Sequence, residues 1–552
     1  MSRNFGDGTA LFCRPPVPFG SCPSFLHQMH QNLLLLRNYH IIVISYDYWY
    51  NYMNVCTFLQ KNTKENTMEP RNLTLLTDLY ELTMMQGYHE IPHANSTVVF
   101  DAFFRTNPHG NGFAIAAGLD QVIDYIKNLH FSDADVDYLK SLGIFSDSFT
   151  ESLRDFKFTG DIYAIPEGTV MFPREPMLKV IAPIMQAQLV ETAILNILNH
   201  QSLIATKTAR IVHAAQGDGI MEFGLRRAQG PDAGIYGARA AMIAGCIGTS
   251  NVLTGKMFDV PVKGTHAHSW IMSFPDELTA FREYARMYPN ACILLVDTYD
   301  TLDSGVPNAI KVFKEMRAQG IKLSFYGIRL DSGDLAYLSK KARKMLDEAG
   351  FEDAIISASN DLDEYLINSL KMQGATITSW GVGTNLITSK DCPSFGGVYK
   401  LAAVQDEETG EFIPKIKLSE NTEKITNPGN KTIYRVYDKM NHKIIADLIC
   451  FADEHYSESD PLLLFDPQET WKKTKLAPGT YTLRELMVPV FKNGECVYKT
   501  PKVMDIRDYC AREQDTLWDE SRHLVNPQEV HVDLSQKLWD VKQALINEFH
   551  GN

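Results

Sequence analysis

Short apolar stretches alternate with helical patterns between residues 293 and 403, and this alternation is the clearest structural signal in the chain. Residues 293–296, 323–330, 355–357 and 377–380 are apolar runs that each end in polar residues. A helical pattern or a turn follows each run, at intervals of roughly 25–35 residues, which is the spacing of parallel strands joined by crossover helices. The pattern therefore predicts an α/β unit, and its periodicity fits either a barrel or an open sheet.

The four runs end in residues with hydroxyl, carboxylate or exposed backbone groups. These residues are Asp297 to Asp300, Asp331 to Asp334, Ser359 to Asp361 and Gly383 to Asn385. Because the carboxyl ends of parallel strands meet at one edge of a sheet or barrel, ligands bind there. We therefore predict a functional edge built from these four loops.

The rest of the chain divides by composition into regions of different pattern. We predict a non-catalytic extension at 1–67, an N-terminal α/β lobe at 68–200, a barrel domain at 201–430, and C-terminal elements at 431–552 that pack on both. Residues 188–215 are predicted to form one or two helices, 432–510 an antiparallel β-rich region, and 524–549 a tail that ends in an amphipathic helix. In the extension, charged and polar residues interrupt every apolar run, so we predict no membrane helix there.

Composition narrows the class of protein. The 552 residues are 45% hydrophobic and 22% charged, which is typical of a globular protein with a sizeable core. A net charge of -14 argues against a general nucleic-acid binder. The nine cysteines form no CxxC pair, which favours reduced thiols in a cytoplasmic protein over disulfides or a zinc site. We predict a cytoplasmic location and neither nucleic-acid nor membrane partners.

The His-x-His segment Thr265-His266-Ala267-His268-Ser269 is the sharpest local feature. Such a pair can ligate a metal in barrel hydrolases, which collect further histidines from later strand ends. No histidine lies between His268 and His442, so the later strand ends supply none. A nucleophilic or acid–base histidine and a structural, hydrogen-bonded one both remain open.

Cationic and acidic residues accompany these loops. Arg226 and Arg227 lie between Gly224 and Gly230, where backbone can approach an anion closely. Gly383 and Thr384 would present backbone N–H groups and a hydroxyl to a phosphate. Together with Arg329 and Lys400, and set against Asp297, Asp331 and Asp334, these residues suggest a site for phosphate, a metal ion and ribose.

Seven separated motifs, in this order, resemble the nicotinate phosphoribosyltransferase family. They are residues 77–84 (TDLYELTM), 103–105 (FFR), 223–230 (FGLRRAQG), 264–269 (GTHAHS), 328–334 (IRLDSGD), 381–384 (GVGT) and 396–400 (GGVYK). The resemblance covers about residues 71–500. It implies a type II phosphoribosyltransferase fold, in which an irregular α/β barrel carries a flanking N-terminal α/β lobe and C-terminal β-rich elements.

The resemblance also implies an activity and a set of site residues. Nicotinate and 5-phosphoribosyl 1-pyrophosphate would give nicotinate mononucleotide in NAD biosynthesis, with Mg²⁺ and with ATP as co-substrate, in a homodimer whose N-terminal aromatic segment reaches the partner's site. His268 would be the histidine that ATP phosphorylates; Arg329 and Asp331 would be the other catalytic residues, and Asp297 and Asp331 would hold Mg²⁺. The substrate-binding residues would be Tyr80, Phe104, Arg105, Arg226, Arg227, Thr265, Asp334, Asn360, Gly383, Thr384 and Lys400.

Two classes of alternative stay open at this point. A sister enzyme of the same fold would use nicotinamide or quinolinate, although an uncharged amide has less use for a carboxylate-pairing Arg329. A non-catalytic binding relative would be expected to lose His268 or the acidic residues at the strand ends, and all are present. We therefore predict an ATP-dependent nicotinate phosphoribosyltransferase, an enzyme of the ligase and glycosyltransferase class.

Overall fold

A computed structural model describes residues 71–91, 96–421 and 424–550, and contacts unite Arg71–Asn552 in one compact unit. The predictions for residues 1–67 lie outside the described residues. None of the helices in the described ranges is both long and apolar enough to cross a membrane.

The described residues form twenty-one strands. In chain order they are β1 (Thr97–Phe104), β2 (Ala114–Ile115), β3 (Asp161–Ala164), β4 (Val170–Met171), β5 (Leu178–Pro183), β6 (Gly219–Glu222), β7 (Gly248–Thr249), β8 (Cys292–Leu295), β9 (Tyr326–Leu330), β10 (Ile355–Ala358), β11 (Ser379–Val382), β12 (Gly397–Gln405), β13 (Phe412–Pro414), β14 (Lys431–Asp438), β15 (Ile444–Phe451), β16 (Leu462–Phe465), β17 (Lys473–Leu476), β18 (Tyr481–Glu485), β19 (Val488–Lys492), β20 (Glu495–Cys496) and β21 (His531–Leu534).

The α-helices connect and cover these strands. They are α1 (Leu79–Glu90), α2 (Leu119–Lys127), α3 (Asp133–Ser141), α4 (Asp147–Ser152), α5 (Ile184–Leu189), α6 (Glu191–Ala214), α7 (Pro231–Ile243), α8 (Val252–Phe258), α9 (His268–Met272), α10 (Glu277–Met287), α11 (Val306–Ala318), α12 (Leu335–Glu348), α13 (Glu364–Met372), α14 (Thr384–Ile387), α15 (Val503–Asp515) and α16 (Gln536–His550). The one or two helices predicted for residues 188–215 correspond to α6, with the last two residues of α5 at the start of that range.

Six parallel strands form the half-barrel that the apolar runs predict. Their order is β7-β6-β11-β10-β9-β8, and every neighbouring pair is parallel. The four predicted runs overlap β8 to β11, and the carboxyl ends of these strands do lie at one edge. The strand side chains are buried because helices α11 to α13 pack outside the sheet, as the fully buried Leu294, Ile328 and Trp380 illustrate.

Helix starts at this edge are set by carboxylates. Asp300, Asp334 and Asp363 each cap the segment that follows their strand, with the carboxylate accepting backbone N–H groups of the first turn. Such a cap satisfies donors that the helix itself leaves unpaired. The loops at the strand ends are therefore held in fixed conformations.

The lobe is built from segments that lie far apart in the chain. Its seven-stranded sheet has the order β13-β12-β1-β5-β3-β19-β20 and is antiparallel throughout. Strand β1 lies between β5 and β12, and β3 lies between β5 and β19. Residues near 400 and 490 are therefore integral to a sheet that begins at residue 97.

The C-terminal region contains a four-stranded sheet with the order β18-β14-β15-β21. Strands β14, β15 and β18 are antiparallel, which confirms the β-rich, antiparallel region predicted at 432–510, whereas the later β21 joins β15 in parallel. The predicted C-terminal helix is α16.

A buried ionic cluster joins the lobe to this sheet and to α15. Arg435 donates two hydrogen bonds to Asp447, from Nε at 2.8 Å and from Nη2 at 2.6 Å, and its Nη1 lies 3.4 Å from Glu513. Arg484 donates to both oxygens of Glu513, from Nη1 to Oε1 at 2.6 Å and from Nη2 to Oε2 at 2.8 Å. Burial, and then the neighbouring Asp447, raise the pKa of Glu175 well above its usual range. Three carboxyl groups thus share two guanidinium groups in a dry environment.

Candidate active site

The strand ends of the half-barrel bring His268 together with residues from two other loops. Helix α9 begins at His268, whose Nδ1 lies 3.1 Å from the Thr298 hydroxyl beyond β8. Its Nε2 lies 3.7 Å from the Asp331 carboxylate beyond β9. With the proton on Nε2, which faces the Asp331 carboxylate, the lone pair of Nδ1 would accept the Thr298 hydroxyl. The imidazole is about two-fifths exposed and is open to a substrate.

Asp297 and Asp331 lie on neighbouring strand ends and are directly connected. The Asp297 Oδ2 accepts the backbone N–H of Asp331 at 2.7 Å and the Ser332 hydroxyl at 2.8 Å. Asp331 Oδ1 in turn accepts the hydroxyl of Ser359 beyond β10. Three consecutive strand ends are therefore joined by hydrogen bonds to two carboxylates.

The second oxygen of Asp297 fits a cation. Asp297 Oδ1 is buried and has no hydrogen-bond partner, which is costly unless a ligand completes its coordination. Within the residues that the structure describes, no group of three or more His, Cys, Asp or Glu side chains could hold a metal by itself. Mg²⁺ commonly takes one or two carboxylates and completes its shell with substrate phosphates and water, so this pair suits it.

Arg329, on β9, faces the same edge. Its Nη1 donates to the Thr265 hydroxyl at 2.6 Å and its Nη2 to the His266 carbonyl at 3.0 Å, while its Nε is buried with no partner. Burial lowers the pKa of the guanidinium, and the nearby Asp331 and Asp297 oppose that shift. The side chain is thus held in place and still has a free donor, which suits it to an anionic ligand.

The first histidine of the His-x-His pair has a structural environment. His266 packs edge-on against Tyr284 with ring centroids 4.5 Å apart, and its Nε2 accepts the Leu295 N–H at 3.4 Å. Burial, followed by Arg329, lowers its pKa to about 4, so it is uncharged at neutral pH. The two open roles for the pair are therefore divided between its members: His266 is structural, and His268 is the exposed one.

The paired arginines lie on a tight turn at the end of β6. Arg226 and Arg227 belong to a short 3-10 turn (Leu225–Arg227) and are both exposed. The charge of Arg226 contributes to lowering the pKa of Arg329, so the two guanidinium groups act on the same region. Beneath the turn, the buried Glu222 accepts the Gly224 N–H and, at 2.6 Å, the Thr249 hydroxyl of β7. These two hydrogen bonds of Glu222 fix the turn that carries Arg226 and Arg227.

Gly383 and Thr384 follow β11, where α14 begins. The buried Asn385 donates from Nδ2 to the carbonyls of Asp361 and Leu362, both at 3.0 Å. This amide joins the loop beyond β11 to the loop beyond β10. The backbone N–H groups after Gly383 are thus held at the edge where a phosphate could bind.

A second group of predicted residues lies on the lobe. Lys400 Nζ lies 4.0 Å from Glu191 and donates to the Tyr399 carbonyl at 2.6 Å. Burial lowers the pKa of Lys400, and Arg105 adds to the shift. Tyr80 is 46% exposed, and burial followed by Glu191 raises the pKa of its hydroxyl. Glu191 is thus a shared neighbour of Tyr80 and Lys400, and the charge of Arg105 acts on Lys400.

Two predicted substrate-binding residues, Phe104 and Asp334, make contacts within the fold, whereas Asn360 is exposed at the strand-end edge. Phe104 is fully buried in the lobe core, 4.8 Å from the ring of Phe395, so its ring is not presented to a ligand in this conformation. Asp334 caps α12 by accepting the Tyr337 N–H at 2.9 Å. Asn360 is exposed at the strand-end edge with a φ of 108°, a conformation that non-glycine residues rarely adopt outside functional sites.

Several residues that shape the site were missed among the predicted site residues. Thr298, Ser359, Glu222 and Asn385 each connect two strand ends or orient a predicted residue. Thr298, Ser359 and Asn385 belong to the predicted polar loops, but the pattern did not assign their individual contacts. Glu222 ends β6, a strand that the apolar pattern did not predict.

Comparison with known proteins identifies relatives along almost the whole described chain. Profiles described as nicotinate phosphoribosyltransferase N-terminal domain, family and C-terminal domain match residues 75–199, 219–438 and 430–542 respectively. The nicotinate phosphoribosyltransferase of Bacillus subtilis (strain 168) is 46% identical over 477 residues, which cover 86% of this chain and 96% of that protein. The Homo sapiens protein of the same name is 32% identical over 530 residues, which cover 86% and 96%.

Solved structures match the fold. The crystal structure of human nicotinic acid phosphoribosyltransferase has a TM-score of 0.73 and 30% identity, and the match covers 86% of this chain and 99% of that one. A nicotinate-nucleotide pyrophosphorylase from Pyrococcus furiosus, with a TM-score of 0.61, is 22% identical over 82% of this chain and 99% of its own. At that identity the second likeness concerns the fold alone.

Proposed function

Because the chain belongs to the nicotinate phosphoribosyltransferase family, we propose that it makes nicotinate mononucleotide and pyrophosphate from nicotinate and 5-phosphoribosyl 1-pyrophosphate, with ATP hydrolysis coupled through His268. The observation that carries this proposal is the grouping of His268, Arg329 and Asp331 at the strand ends of the half-barrel. The activity serves the formation of NAD from nicotinate.

Nicotinate is a flat aromatic anion, and Arg329 supports its recognition. The buried, unpartnered Nε of Arg329 leaves a donor for a carboxylate, while the Thr265 and His266 contacts hold the guanidinium plane. An uncharged nicotinamide would leave this cation without an anionic partner in a partly buried site, which is unfavourable. The exposed Tyr80 ring suits stacking on the pyridine.

The phosphoribosyl donor would extend across the neighbouring loops. The backbone beyond Gly383 and the Thr384 hydroxyl suit the 5-phosphate, and Asp331 and Asp334 suit the ribose hydroxyls. In the reaction, the pyridine nitrogen forms a bond to the anomeric carbon as the bond to pyrophosphate breaks, and pyrophosphate leaves with the electron pair. The protein's part is to position the two reactants and to stabilise charge.

Asp297 and Asp331 would hold Mg²⁺. The buried Asp297 Oδ1 without a partner is the atom that supports this assignment. When bound, the ion would neutralise charge on the pyrophosphate group.

ATP coupling rests on the geometry of His268. With the proton on Nε2, which faces Asp331, Nδ1 can attack the γ-phosphorus of ATP while the bond to ADP breaks and ADP leaves with the electron pair. Thr298, 3.1 Å from Nδ1, suits a hydrogen bond to the transferred phosphoryl group. Hydrolysis of that phosphohistidine would return the enzyme to its starting state.

A homodimer accounts for the division of the predicted residues into two groups. Helix α1 and the turn before it expose Leu76, Leu79, Tyr80 and Met84 on one side, which is an apolar patch beside Lys400. If two copies associate through this patch, Tyr80, Arg105 and Lys400 of one protomer can complete the strand-end site of the other.

The activity is tested by product formation with the full-length chain. Phosphoribosyl pyrophosphate and Mg²⁺ are supplied with nicotinate, nicotinamide or quinolinate, each with and without ATP. Of the three bases, we expect only nicotinate to give a product, nicotinate mononucleotide, and the yield should be greater with ATP. Preference for another base would move the protein to a sister activity, and silence with all three bases would support a binding relative.

The phosphohistidine is tested separately with γ-phosphate-labelled ATP. Acid-labile label is expected on the wild-type protein and on the exposed-histidine control His523→Ala, and not on His268→Ala. Equal labelling of all three proteins would refute the assignment.

The shared site is tested by mixing two inactive variants, Tyr80→Ala and His268→Ala. If each site draws on both protomers, mixed dimers regain one intact site, and activity returns to about a quarter of the wild-type value at equal mixing. If each site is complete within one chain, mixing restores nothing.

A further inference from the structure

A cavity of about 300 Å³ lies away from the strand-end site, between α16, β21 and the lobe. Its polar lining consists of Arg174, Asn427, Gln468, Lys542 and Gln543, and its walls are aliphatic except for the ring of Trp539. Among the described residues that line it, none is acidic. On β21 the residues that face this cavity are Val532 and Leu534, while Asp533 between them lines a different, larger cavity.

Two cations face this cavity with uncharged partners. Lys542 Nζ donates to Asn427 Oδ1 at 2.8 Å, and the Arg174 guanidinium faces the side-chain amide of Gln468, whose oxygen accepts from it when the amide is oriented to satisfy both groups. Burial, followed by the charges of Arg174 and Lys431, lowers the pKa of Lys542 to about 8. Lys431 itself is paired with Asp101 at 2.7 Å, so it does not require a further anion.

The position of Arg174 is imposed by its backbone. Its φ is 74°, in the left-handed region that a branched or long side chain seldom adopts, and its N–H donates to the Phe104 carbonyl at 2.7 Å. Strain of this kind is retained where the surroundings determine the conformation, and it recurs at ligand sites. Here it holds the guanidinium group at the cavity wall.

We propose that this cavity is a second binding site, for a small organic anion that carries an apolar or aromatic body. A carboxylate or phosphate group would pair with Arg174 and Lys542, which otherwise keep two like charges close together in a partly desolvated space. The body would pack against Trp539 and the aliphatic wall. The volume is at the lower end of the range for small-molecule sites, which limits the ligand to about the size of a substituted benzene ring.

The site is separate from the proposed catalytic one. Its lining comes from the loop before β5, the segment before β14, the β16–β17 connection, β15, β21 and α16, and includes no residue at the half-barrel's strand ends. The larger neighbouring cavity of about 930 Å³ shares Arg174, Pro467, Gln468 and Val532 with the smaller one and is lined by acids as well as bases. Lys542 does not line the larger cavity, and the described residues that line the smaller one include no acid.

Binding is measured by calorimetry with three probes: phenyl phosphate, benzoate and inorganic phosphate. The protein carries Arg329→Ala, which removes the carboxylate-pairing side chain of the strand-end site. Phosphate that still binds at the Gly383–Thr384 loop is recognised because substitutions of Lys542 and Arg174 leave it unchanged, so failure of the proposed function leaves this test intact. We expect saturable binding of phenyl phosphate or benzoate at one site per chain, and binding of inorganic phosphate that is at least tenfold weaker. Equal affinity for inorganic phosphate, or no saturable binding of any probe, would overturn the proposal.

Substitutions then locate the site. Lys542→Gln and Arg174→Gln should each weaken binding at least tenfold, whereas Lys537→Gln should leave it unchanged. Lys537 is the matched control because it lies on the same helix, is exposed, and pairs with Asp453 at 2.9 Å. Unchanged affinity in both cavity variants would overturn the assignment.

A labelling experiment keeps the proposal testable if a cavity variant fails to fold. At pH 8 about half of the Lys542 amines are neutral and reactive, against under about 1% for an ordinary lysine. Acylation of Lys542 is measured by mass spectrometry of the peptide that contains it. Phenyl phosphate should slow this acylation by about tenfold or more and leave the acylation of Lys537 unaffected. Equal rates with and without the probe would contradict binding at this place.

Discussion

Replacing Glu175 with glutamine should raise the free energy of unfolding relative to wild type, and this difference should grow as the pH rises. Glu175 is fully buried, and its Oε2 accepts the Phe172 N–H at 2.9 Å, while Oε1 has no donor unless the carboxyl group itself is protonated and donates toward Asp447. A glutamine keeps the acceptor and supplies a permanent donor in the same place. The substitution therefore removes a titration and retains both hydrogen bonds.

The size of the effect follows from proton linkage. Burial raises the folded-state pKa of Glu175, whereas a glutamate in the unfolded chain titrates near about 4.3. Below that pH both states carry the proton and folding has no extra cost. Above it the unfolded chain loses the proton, and folding is disfavoured by about 1.4 kcal/mol per pH unit while the folded protein keeps it. Glu175→Gln should accordingly gain stability over wild type at up to about 1.4 kcal/mol per pH unit, throughout the interval between the unfolded-state and folded-state pKa values.

The assay is urea unfolding followed by tryptophan fluorescence, at half-unit steps from pH 5 to pH 8 and constant ionic strength. The control is Glu352→Gln, which changes an exposed glutamate and should give a curve parallel to that of wild type. The quantity to examine is the slope of the stability difference with pH, because a constant offset reflects only the exchange of hydrogen bonds. Parallel curves for Glu175→Gln and wild type would refute the reasoning.

Three further changes have defined outcomes. Arg239→Leu should cost about 3–5 kcal/mol in urea unfolding, because it strands the buried Glu167 that Arg239 binds through two 2.7 Å hydrogen bonds, and adding Glu167→Gln should recover part of the loss. Gly305→Ala should reduce kcat/KM by at least about tenfold, since its Cβ would overlap the Val296 carbonyl beside the strand-end loop; unaltered kinetics would contradict this. Asn385→Leu should raise the KM for phosphoribosyl pyrophosphate about tenfold and leave that for nicotinate unchanged, and an equal rise in both would contradict a local role.

The half-barrel could be predicted from sequence because each strand is a continuous apolar run with a polar end. Strands β8 to β11 follow this rule, and their loops meet as expected. Strands β6 and β7 lack a long apolar run. Strand β7 is only the two-residue segment Gly248–Thr249, and its position beside β6 depends on tertiary contacts that a local pattern does not encode.

Site residues could be predicted where a motif contains them. They were harder to predict where their role depends on which strand face meets the core or on a contact with a distant residue. On β1, Phe103 is half-buried and Phe104 is fully buried, and the motif does not tell which of the two alternating faces meets the core. Contacts such as Ser359 with Asp331 join residues 28 positions apart, so they appear only once the sheet order is known. The sequence predicted that the strand ends are polar, but it did not predict the hydrogen bonds between them.

The order of strands in the lobe sheet has a consequence for the growing chain. Strand β1 is synthesised long before β12, which pairs with one of its edges. Strand β3 is likewise synthesised long before its partner β19. Until about residue 405 has left the ribosome, the apolar strand β1 (Thr97–Phe104) keeps an unpaired edge, which is a template for association with other chains. A product that terminates before residue 397 would lack that cover permanently, so the lobe depends on late synthesis for its solubility as well as its shape.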